Sequence, residues 1–252
     1  MKSTSDQNLR AALYDATHRG QPGDVEYYDE LCGPDHSVLE LGCGSGRVLR
    51  SLSPRPGPLA GLDIDASLLA IARSTIPESV ELHCADMRSF ELDARFDRIL
   101  LPFNGLYCLA TAADIDRLFA SVSRHLSDDG QFIFDIYPTE ELEEDALHFG
   151  PDEFVDDDND HLMDIFVGDK TYSVFEQSRW FPHRRRFEVT FSYRCLGSQS
   201  PPMEMTIVHD YQPLITIIAA AGRQGLKLLE HRHGFDDTGQ GPYVLRFGPV
   251  SK

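Results

Sequence analysis

Short apolar segments alternate with turn residues and amphipathic segments over residues 37–137. Five apolar segments have the length and character of buried strands, at residues 37–41, 58–64, 80–84, 96–101 and 131–137. Helical spacing is present at residues 46–52, 67–74 and 113–126. Strands that alternate with helices form a parallel sheet, and right-handed crossovers place the helices on both of its faces. The pattern therefore predicts an α/β fold with a Rossmann-like, doubly wound, mostly parallel sheet.

A different periodicity follows in the last third of the chain. Residues 186–194 and 203–211 alternate between apolar and polar positions, which is typical of half-buried strands. The segment between them contains Gly and Pro and predicts an antiparallel hairpin, with His209 on the apolar face. Beyond the hairpin we predict one helix and two closing strands, at residues 213–222, 226–231 and 243–247.

The segment between the parallel sheet and the hairpin is strongly acidic. Residues 140–169 contain thirteen Asp or Glu and no Lys or Arg, and charge blocks of this kind are usually solvated loops. A lid over the sheet is the alternative interpretation. We therefore predict a single domain over residues 1–252, with an acidic loop at about 140–169 and an antiparallel β insert at about 170–212, after the fifth strand.

Composition narrows the expected partners and compartment. The 252 residues carry 23 Lys or Arg against 41 Asp or Glu, a formal net charge of -18, which repels nucleic-acid phosphates and anionic membrane surfaces. Five cysteines without CxxC spacing favour a reduced compartment. The N-terminus is polar and no apolar run has membrane-spanning length. We expect a cytoplasmic protein with no nucleic-acid or membrane partner.

Three glycines stand between the first predicted strand and the first predicted helix, in the segment VLELGCGSGR. Gly42, Gly44 and Gly46 lack a Cβ atom, so the backbone can turn sharply there and approach a ligand closely. A dinucleotide site would require G-x-G-x-x-G. This loop instead has G-x-G-x-G, preceded by Glu40, with Arg47 in the place of the last glycine. On its own the loop is also explained by a tight turn.

Acidic residues follow the next two predicted strands. Asp63 lies 21 positions beyond Gly42, where a carboxylate can accept hydrogen bonds from two ribose hydroxyls. Asp86, at the end of the third strand, can accept one from an adenine amine, and Ile64 and Met87 are placed to sandwich the base. Because ligands bind at the carboxyl ends of parallel strands, these residues predict a nucleoside site.

A family resemblance rests on five segments within residues 37–138, which are ELGCGSGR, GLDID, CADM, FDRILLPFNGLYCL and LSDDGQFIFDIYP. Their order and spacing resemble the class I S-adenosylmethionine-dependent methyltransferases. The β insert, the segment AGRQGLKLLEHRHGFDD and the N-terminal LYD are similar to small-molecule members, including those that N-methylate amino sugars of natural products. The resemblance implies an enzyme that transfers a methyl group from S-adenosylmethionine to N or O of a small-molecule acceptor.

The same resemblance implies roles for individual residues. The glycine loop falls on the methionine side of the cofactor, Asp63 falls at its ribose, and Asp86 and Met87 fall at its adenine. Tyr14 falls where an N-terminal aromatic side chain closes over the cofactor. The full set expected to bind S-adenosylmethionine is Tyr14, Glu40, Gly42, Gly44, Gly46, Asp63, Ile64, Asp86, Met87, Leu101 and Phe103.

Methyl transfer from a sulfonium depends mainly on holding donor and acceptor in line, which supplies an effective molarity of about 10⁵ to 10⁸ M. A general base adds roughly 10² to 10⁴-fold. Cys108 stands where several similar amino-sugar methyltransferases have a histidine, and a neutral thiol is a poor base. The catalytic candidates are Tyr107, with an aromatic wall as its other interpretation, and His209, with a core histidine as its other interpretation.

Trp180 precedes a run of three arginines that begins at Arg184. This combination can grip a planar or anionic acceptor, or it can block edge pairing of a strand. The residues expected to bind the acceptor are Asn104, Tyr107, Tyr137, Trp180, Arg184 and Tyr211. We expect no metal site. Two other functions stay open, a protein or RNA methyltransferase and a non-catalytic S-adenosylmethionine-binding protein, and so does the oligomeric state, a homodimer included.

Overall fold

The computed structural model describes residues 4–236 and 238–250. These residues fold into two compact units, each built from two separate stretches of the chain. The parallel-sheet unit comprises Gly20–Pro138 and the described residues from Pro213 onward. The antiparallel-sheet unit comprises the described residues up to Arg19 and Thr139–Gln212. The grouping of residues 1–252 into a single domain stays a prediction.

The elements are numbered in chain order. The helices are α1 (Thr4–Thr17), α2 (Asp24–Cys32), α3 (Arg47–Leu52), α4 (Ala66–Thr75), α5 (Ala112–His125), α6 (Glu140–Asp145) and α7 (Leu214–Arg223). The strands are β1 (Val38–Leu41), β2 (Leu59–Asp63), β3 (Glu81–Cys84), β4 (Phe96–Leu101), β5 (Leu126–Ile136), β6 (Val155–Asp156), β7 (Asp160–Val167), β8 (Lys170–Phe181), β9 (Arg186–Cys195), β10 (Met203–Asp210), β11 (Leu226–His233) and β12 (Tyr243–Pro249). Short 3-10 turns occupy Gly105–Cys108, Ala146–His148 and Pro182–Arg184. In the described part of the chain, no helix combines the length and the apolar character needed to cross a membrane.

Among the described residues, seven strands form the sheet of the parallel-sheet unit, in the order β11-β12-β5-β4-β1-β2-β3. The strands β1 to β5 run parallel, whereas β12 pairs antiparallel with β5, and β11 with β12. This confirms the predicted Rossmann-like, mostly parallel sheet. Strand order reverses between β1 and β4, and in sheets of this kind ligands bind at such a reversal, outside the carboxyl ends of the strands.

The helix α5 shows how the sequence pattern fixes this unit. It begins after Thr111, whose hydroxyl accepts a hydrogen bond from an amide of the first turn. Its apolar positions recur at helical spacing and are buried. The Phe119 ring packs edge-on against Phe132, Phe134 and Phe247 of the sheet. Burial of one such side chain contributes about 1.5–3 kcal/mol, so α5 is held firmly on one sheet face.

In the described part of the antiparallel-sheet unit, five strands form one sheet, with β10, β9, β8 and β6 in order and β7 also paired with β8. The predicted hairpin is formed by β9 and β10. Tyr193 pairs with Met203 and Phe187 with His209, so the alternating apolar residues share one face. In the core of this unit, Leu13 of α1 packs with Ile165, Tyr172, Val174, Phe191 and Tyr193.

The acidic segment, residues 140–169, differs from the loop that its composition predicts. It contains α6, β6 and β7, so the antiparallel sheet begins before residue 170. In the edge strand β7, Ile165 is buried while Asp160 and Asp164 are exposed. In α6, acidic residues occupy the first turn, where they interact favourably with the helix dipole. Regular structure therefore forms here with its charges directed to solvent.

Candidate active site

The glycine-rich loop runs from the end of β1 to the start of α3. Gly42, Gly44 and Gly46 have φ angles of 63°, 53° and 80°, in the left-handed region that costs a residue with a Cβ atom about 1–2 kcal/mol. Apart from chain neighbours, a Cβ atom at Gly44 would have only Leu68 within 4 Å, at 3.9 Å. The loop therefore needs glycine for its path and leaves room beside Gly44.

Asp63 ends β2 beside this loop. Its Oδ2 accepts a hydrogen bond from Gly44 N at 2.8 Å, and its Oδ1 accepts one from Asp65 N at 2.8 Å. Burial raises the pKa of the Asp63 carboxyl, although both amide donors favour its ionised form. The next side chain, Ile64, is apolar and yet 70% exposed. A carboxylate and an open apolar surface thus occupy adjacent positions next to the glycine loop.

Glu40 is buried in β1 and holds the helix that follows the loop. Its Oε2 accepts a hydrogen bond from Leu49 N of α3 at 3.1 Å. Burial raises the pKa of Glu40 to about 8, against the opposing effect of the positive charge of Arg47. The carboxyl is therefore mostly protonated at neutral pH. Arg47 itself donates to both oxygens of Asp24, at 2.9 and 2.6 Å.

At the end of β3, Asp86 is bound by Arg88. The Nε and Nη2 atoms of Arg88 donate to the Asp86 oxygens at 2.9, 3.0 and 2.5 Å, and these hydrogen bonds lower the pKa of the Asp86 carboxyl. Arg88 Nη1 also donates to Asp114 Oδ1 of α5 at 2.8 Å. Met87, between the pair, is half-buried. Sequence reasoning misses Arg88, although a basic residue two positions after the acid is a signal for such a pair.

After β4 the backbone turns at Phe103 and Asn104, with φ angles of 58° and 56°. Asp135 Oδ1 accepts a hydrogen bond from Phe103 N at 2.8 Å, and Asp135 Oδ2 accepts one from Asn104 N at 3.1 Å. Tyr28 Oη of α2 donates to the same carboxylate at 2.6 Å. Sequence reasoning also misses Asp135, whose signal is an acidic residue inside the apolar strand FIFDI.

Asn104, Tyr107 and Tyr137 form one hydrogen-bonded group. Asn104 Oδ1 accepts from Tyr137 N at 2.8 Å, and Tyr107 Oη donates to Tyr137 O at 3.2 Å. Tyr107 is fully buried, with its ring centroid 4.7 Å from that of Tyr137, as an aromatic wall requires. Desolvation and the charge of Asp63 raise the pKa of the nearby Cys108 to about 11, so its thiol is neutral at pH 7.

These side chains gather at one edge because β1 to β4 are parallel and their carboxyl ends meet there. Asp63 is in register with Cys84, so the ends of β2 and β3 are directly adjacent. The predicted residues that belong to this edge of the parallel-sheet unit are Glu40, Gly42, Gly44, Gly46, Asp63, Ile64, Asp86, Met87, Leu101, Phe103, Asn104, Tyr107 and Tyr137.

The other predicted site residues belong to the antiparallel-sheet unit, and these are Tyr14, Trp180, Arg184, His209 and Tyr211. Trp180 Nε1 donates to Tyr211 Oη at 3.1 Å. The Trp180 ring stacks on that of Phe187, with centroids 6.0 Å apart. On α1, Tyr14 stacks on His18 at 4.0 Å. The unit thus forms an aromatic cluster around Trp180 and a separate stacked pair on α1.

The arginine run has different partners at each position. Arg185 Nε and Nη2 donate to the carboxylate of Glu143, in the acidic segment, at 2.7 and 2.9 Å. Arg186 pairs with the carboxylate of the last residue of β10. Arg184 is exposed, and its guanidinium lies 5.5 Å from the centroid of the Phe181 ring. Arg185 thus links the turn before β9 to α6, Arg186 links β9 to β10, and Arg184 and Arg185 are both exposed to solvent.

His209 lies opposite Phe187 in the β9–β10 register. Burial lowers its pKa from 6.5 to about 4, so its imidazole is neutral at pH 7. The unfolded chain takes up this proton near pH 6.5, so the contribution of His209 to stability is present above that pH and is lost as the pH falls toward 4.

We therefore expect the unfolding free energy of His209→Gln, measured by urea titration, to fall less between pH 7 and pH 5 than that of the unchanged protein. The exposed His233, replaced in the same way, is the control. Equal pH dependence of the His209→Gln variant and the unchanged protein would contradict this prediction.

Residues 38–130 match the model of a family described as a methyltransferase domain. This stretch contains the glycine loop, Asp63, Asp86 and the turn after β4. Residues 38–130 are therefore similar to the methyltransferase domain family, as their motifs indicate.

Individual relatives point to the same resemblance. The chain is similar to the dTDP-3-amino-3,6-dideoxy-alpha-D-glucopyranose N,N-dimethyltransferase of Streptomyces fradiae, with 35% identity over 130 residues, 48% of this chain and 50% of the relative. The chain thus spans half the length of that relative.

Two solved structures share the fold of this chain. A S-adenosylmethionine-dependent methyltransferase from Clostridium acetobutylicum ATCC 824 has a TM-score of 0.74 and 16% identity, covering 97% of this chain and 99% of that one. The sugar N-methyltransferase KedS8 from Streptoalloteichus sp ATCC 53650 has a TM-score of 0.71 and 18% identity, covering 100% and 94%.

Proposed function

We propose that the chain transfers a methyl group from S-adenosylmethionine to the nitrogen of a small-molecule amino sugar, with transfer to oxygen as the other outcome. The observation that carries the proposal is the Asp63 carboxylate, hydrogen-bonded to Gly44 N beside the glycine loop of a methyltransferase domain. Similarity to an amino-sugar N,N-dimethyltransferase supports the acceptor class. We also propose a cytoplasmic location, supported by five cysteines that are all free thiols.

The residues at the strand ends fit the proposed cofactor. The positions where Cβ atoms would project from Gly42 and Gly44 are open, with single side-chain neighbours at 3.8 and 3.9 Å. The Asp63 carboxylate offers acceptors for ribose hydroxyls, and the exposed Ile64 offers apolar surface to a base. Asp86, kept ionised by Arg88, offers an acceptor to an exocyclic amine. When bound, S-adenosylmethionine supplies an electrophilic methyl group on a cationic sulfur.

The chain's own residues are proposed to act by positioning rather than by proton removal. A neutral amine attacks without losing a proton first, so a base is not required for the transfer itself. The Tyr107 hydroxyl donates a hydrogen bond to Tyr137 O. His209 is a weak base because burial lowers its pKa to about 4. We propose that Tyr107 and His209 orient the acceptor, and that Asn104, Tyr137, Trp180, Arg184 and Tyr211 bind it.

The test combines binding and transfer. Calorimetry with S-adenosylhomocysteine comes first, and a dissociation constant above about 100 µM, or only about 5.5 kcal/mol of binding free energy, would remove the basis of the proposal. The protein is then incubated with labelled cofactor and, separately, dTDP-amino sugars, hydroxylated sugar nucleotides, lysate protein and total RNA. We expect label on the amino sugars, with a mass gain of one or two methyl groups. Label on protein or RNA, or binding without any product, would contradict the proposal.

A further inference from the structure

A fully buried carboxylate lies directly behind the acceptor side of the proposed site. Asp135, the penultimate residue of β5, has no exposed surface. It accepts three hydrogen bonds, from Tyr28 Oη at 2.6 Å, Phe103 N at 2.8 Å and Asn104 N at 3.1 Å. The donors belong to α2 and to the segment after β4. One side chain therefore joins three separate stretches of the parallel-sheet unit.

The two amides that Asp135 binds belong to an unfavourable stretch of backbone. In the part of the chain that the structure describes, positive φ angles at residues other than glycine occur only at Phe103, Asn104 and Arg185. Residues with a Cβ atom other than Asn and Asp rarely adopt this conformation unless their surroundings hold them in it, and Phe103 is such a residue. Successive amides in such a turn form a concavity that binds an anion. Here the anion is the protein's own Asp135 carboxylate, which favours the strained turn over relaxed alternatives.

The turn at Phe103 and Asn104 also fixes the residues that follow it in the fold. Asn104 Oδ1 accepts a hydrogen bond from Tyr137 N, and Tyr107 Oη donates one to Tyr137 O. The peptide groups on both sides of Tyr137 are thus held by the segment that Asp135 folds. Asn104, Tyr107 and Tyr137 are residues proposed to orient or bind the acceptor. Asp135 and Tyr107 are fully buried, whereas Asn104 and Tyr137 are half-buried.

We propose that Asp135, with Tyr28 as its third donor, is a positioning residue that sets the conformation of the Phe103–Asn104 turn and thereby the acceptor side of the site. This inference rests on the proposed function for its catalytic consequence, but not for its structural one. Tyr28 is itself held by packing, with its ring centroid 6.1 Å from that of Phe235.

The decisive variant is Asp135→Asn, which keeps shape and removes one acceptor. Whichever way the amide is oriented, its NH₂ group faces either Phe103 N or Asn104 N, so one backbone amide loses its partner. Tyr28→Phe removes only the third donor and leaves both amides bound. The matched control is Asp97→Asn, because Asp97 also accepts three hydrogen bonds but lies at the amino end of β4. Its donors are Ser37 N, Ser37 Oγ and Ser127 Oγ, at 3.0, 2.8 and 2.9 Å.

Two measurements test the proposal. Amide hydrogen exchange in residues 103–108 should become at least about tenfold faster in Asp135→Asn, with exchange in β1 and β12 unchanged. In Asp97→Asn, exchange in residues 103–108 should stay unchanged. For methyl transfer, kcat should fall roughly 100-fold in Asp135→Asn, while the affinity of this variant for S-adenosylhomocysteine should stay within about threefold of that of the unchanged protein. The kcat of Tyr28→Phe should lie between the values of Asp135→Asn and the unchanged protein.

Unchanged exchange in residues 103–108 of Asp135→Asn, or faster exchange everywhere, would overturn the inference, and so would an equal loss of kcat in Asp97→Asn. Exchange and cofactor binding need no acceptor. If the unchanged protein transfers no methyl group, the proposed function fails while the exchange data still decide whether Asp135 sets the turn.

Discussion

Replacement of Asp63 by Asn is expected to weaken binding of S-adenosylhomocysteine by about 10- to 100-fold. A hydrogen bond to a charged group is worth about 1.5–3 kcal/mol, and each 1.4 kcal/mol is about tenfold in affinity. The substitution removes the charge and replaces one acceptor oxygen, which binds either Gly44 N or Asp65 N in the unchanged protein, by a donor. Because burial already raises the pKa of Asp63, loss of this desolvated charge should cost little stability. Calorimetry measures the affinity, and thermal unfolding measures the stability.

Asp65→Asn is the matched control for this experiment. Asp65 is the N-cap of α4, and its side chain accepts from Ser67 N and Leu68 N. Asparagine caps helices as well as aspartate does, so the affinity should change by less than about threefold. A similar loss of affinity in both variants would show that Asp63 acts through the local backbone and does not bind the cofactor.

Replacement of Gly44 by Ala is expected to reduce the affinity for S-adenosylhomocysteine by roughly 100-fold or more, because the added methyl group enters space that the proposed cofactor needs. The left-handed φ of 53° adds a stability loss of about 1–2 kcal/mol. Within the protein the methyl group meets no atom closer than 3.9 Å, apart from chain neighbours. The fold should therefore survive.

Gly168→Ala separates these two effects. Gly168, in the turn between β7 and β8, has a φ of 63°, and a Cβ atom there would have nothing within 4 Å. We expect a similar loss of stability, measured by urea titration, with an unchanged affinity for the cofactor. If both variants lose affinity equally, or neither does, the glycine loop is a tight turn and nothing more.

The sequence predicts the parallel sheet and its edge well because both depend on local pattern. The strand β1 is buried over its whole length, and its apolar residues show this directly. The glycine loop and Asp63 follow strands whose ends are marked by turn residues. Pairing of neighbouring parallel strands is then enough to bring these positions together at one edge of the sheet.

The features that the sequence does not reveal depend on partners far along the chain. Asp135 meets Tyr28 across more than a hundred positions, and no local pattern links them. The strand β7 is hidden because it lies within the acidic segment and exposes Asp160 and Asp164, so that its composition resembles that of a loop. Its assignment requires the pairing with β8, which buries Ile165. In both cases tertiary partners, not propensity, decide the structure.

The division of each unit between distant stretches of the chain has a consequence during synthesis. A ribosome adds about 5–20 residues per second, and α1 emerges well before the strands that cover Leu13. In the same way, β5 emerges before β12, the strand with which it pairs antiparallel. Until then α1 exposes apolar side chains and β5 an open edge, which are the features that chaperones recognise. The antiparallel sheet is therefore completed only after β10 has emerged, and the sheet of the parallel-sheet unit only after β12.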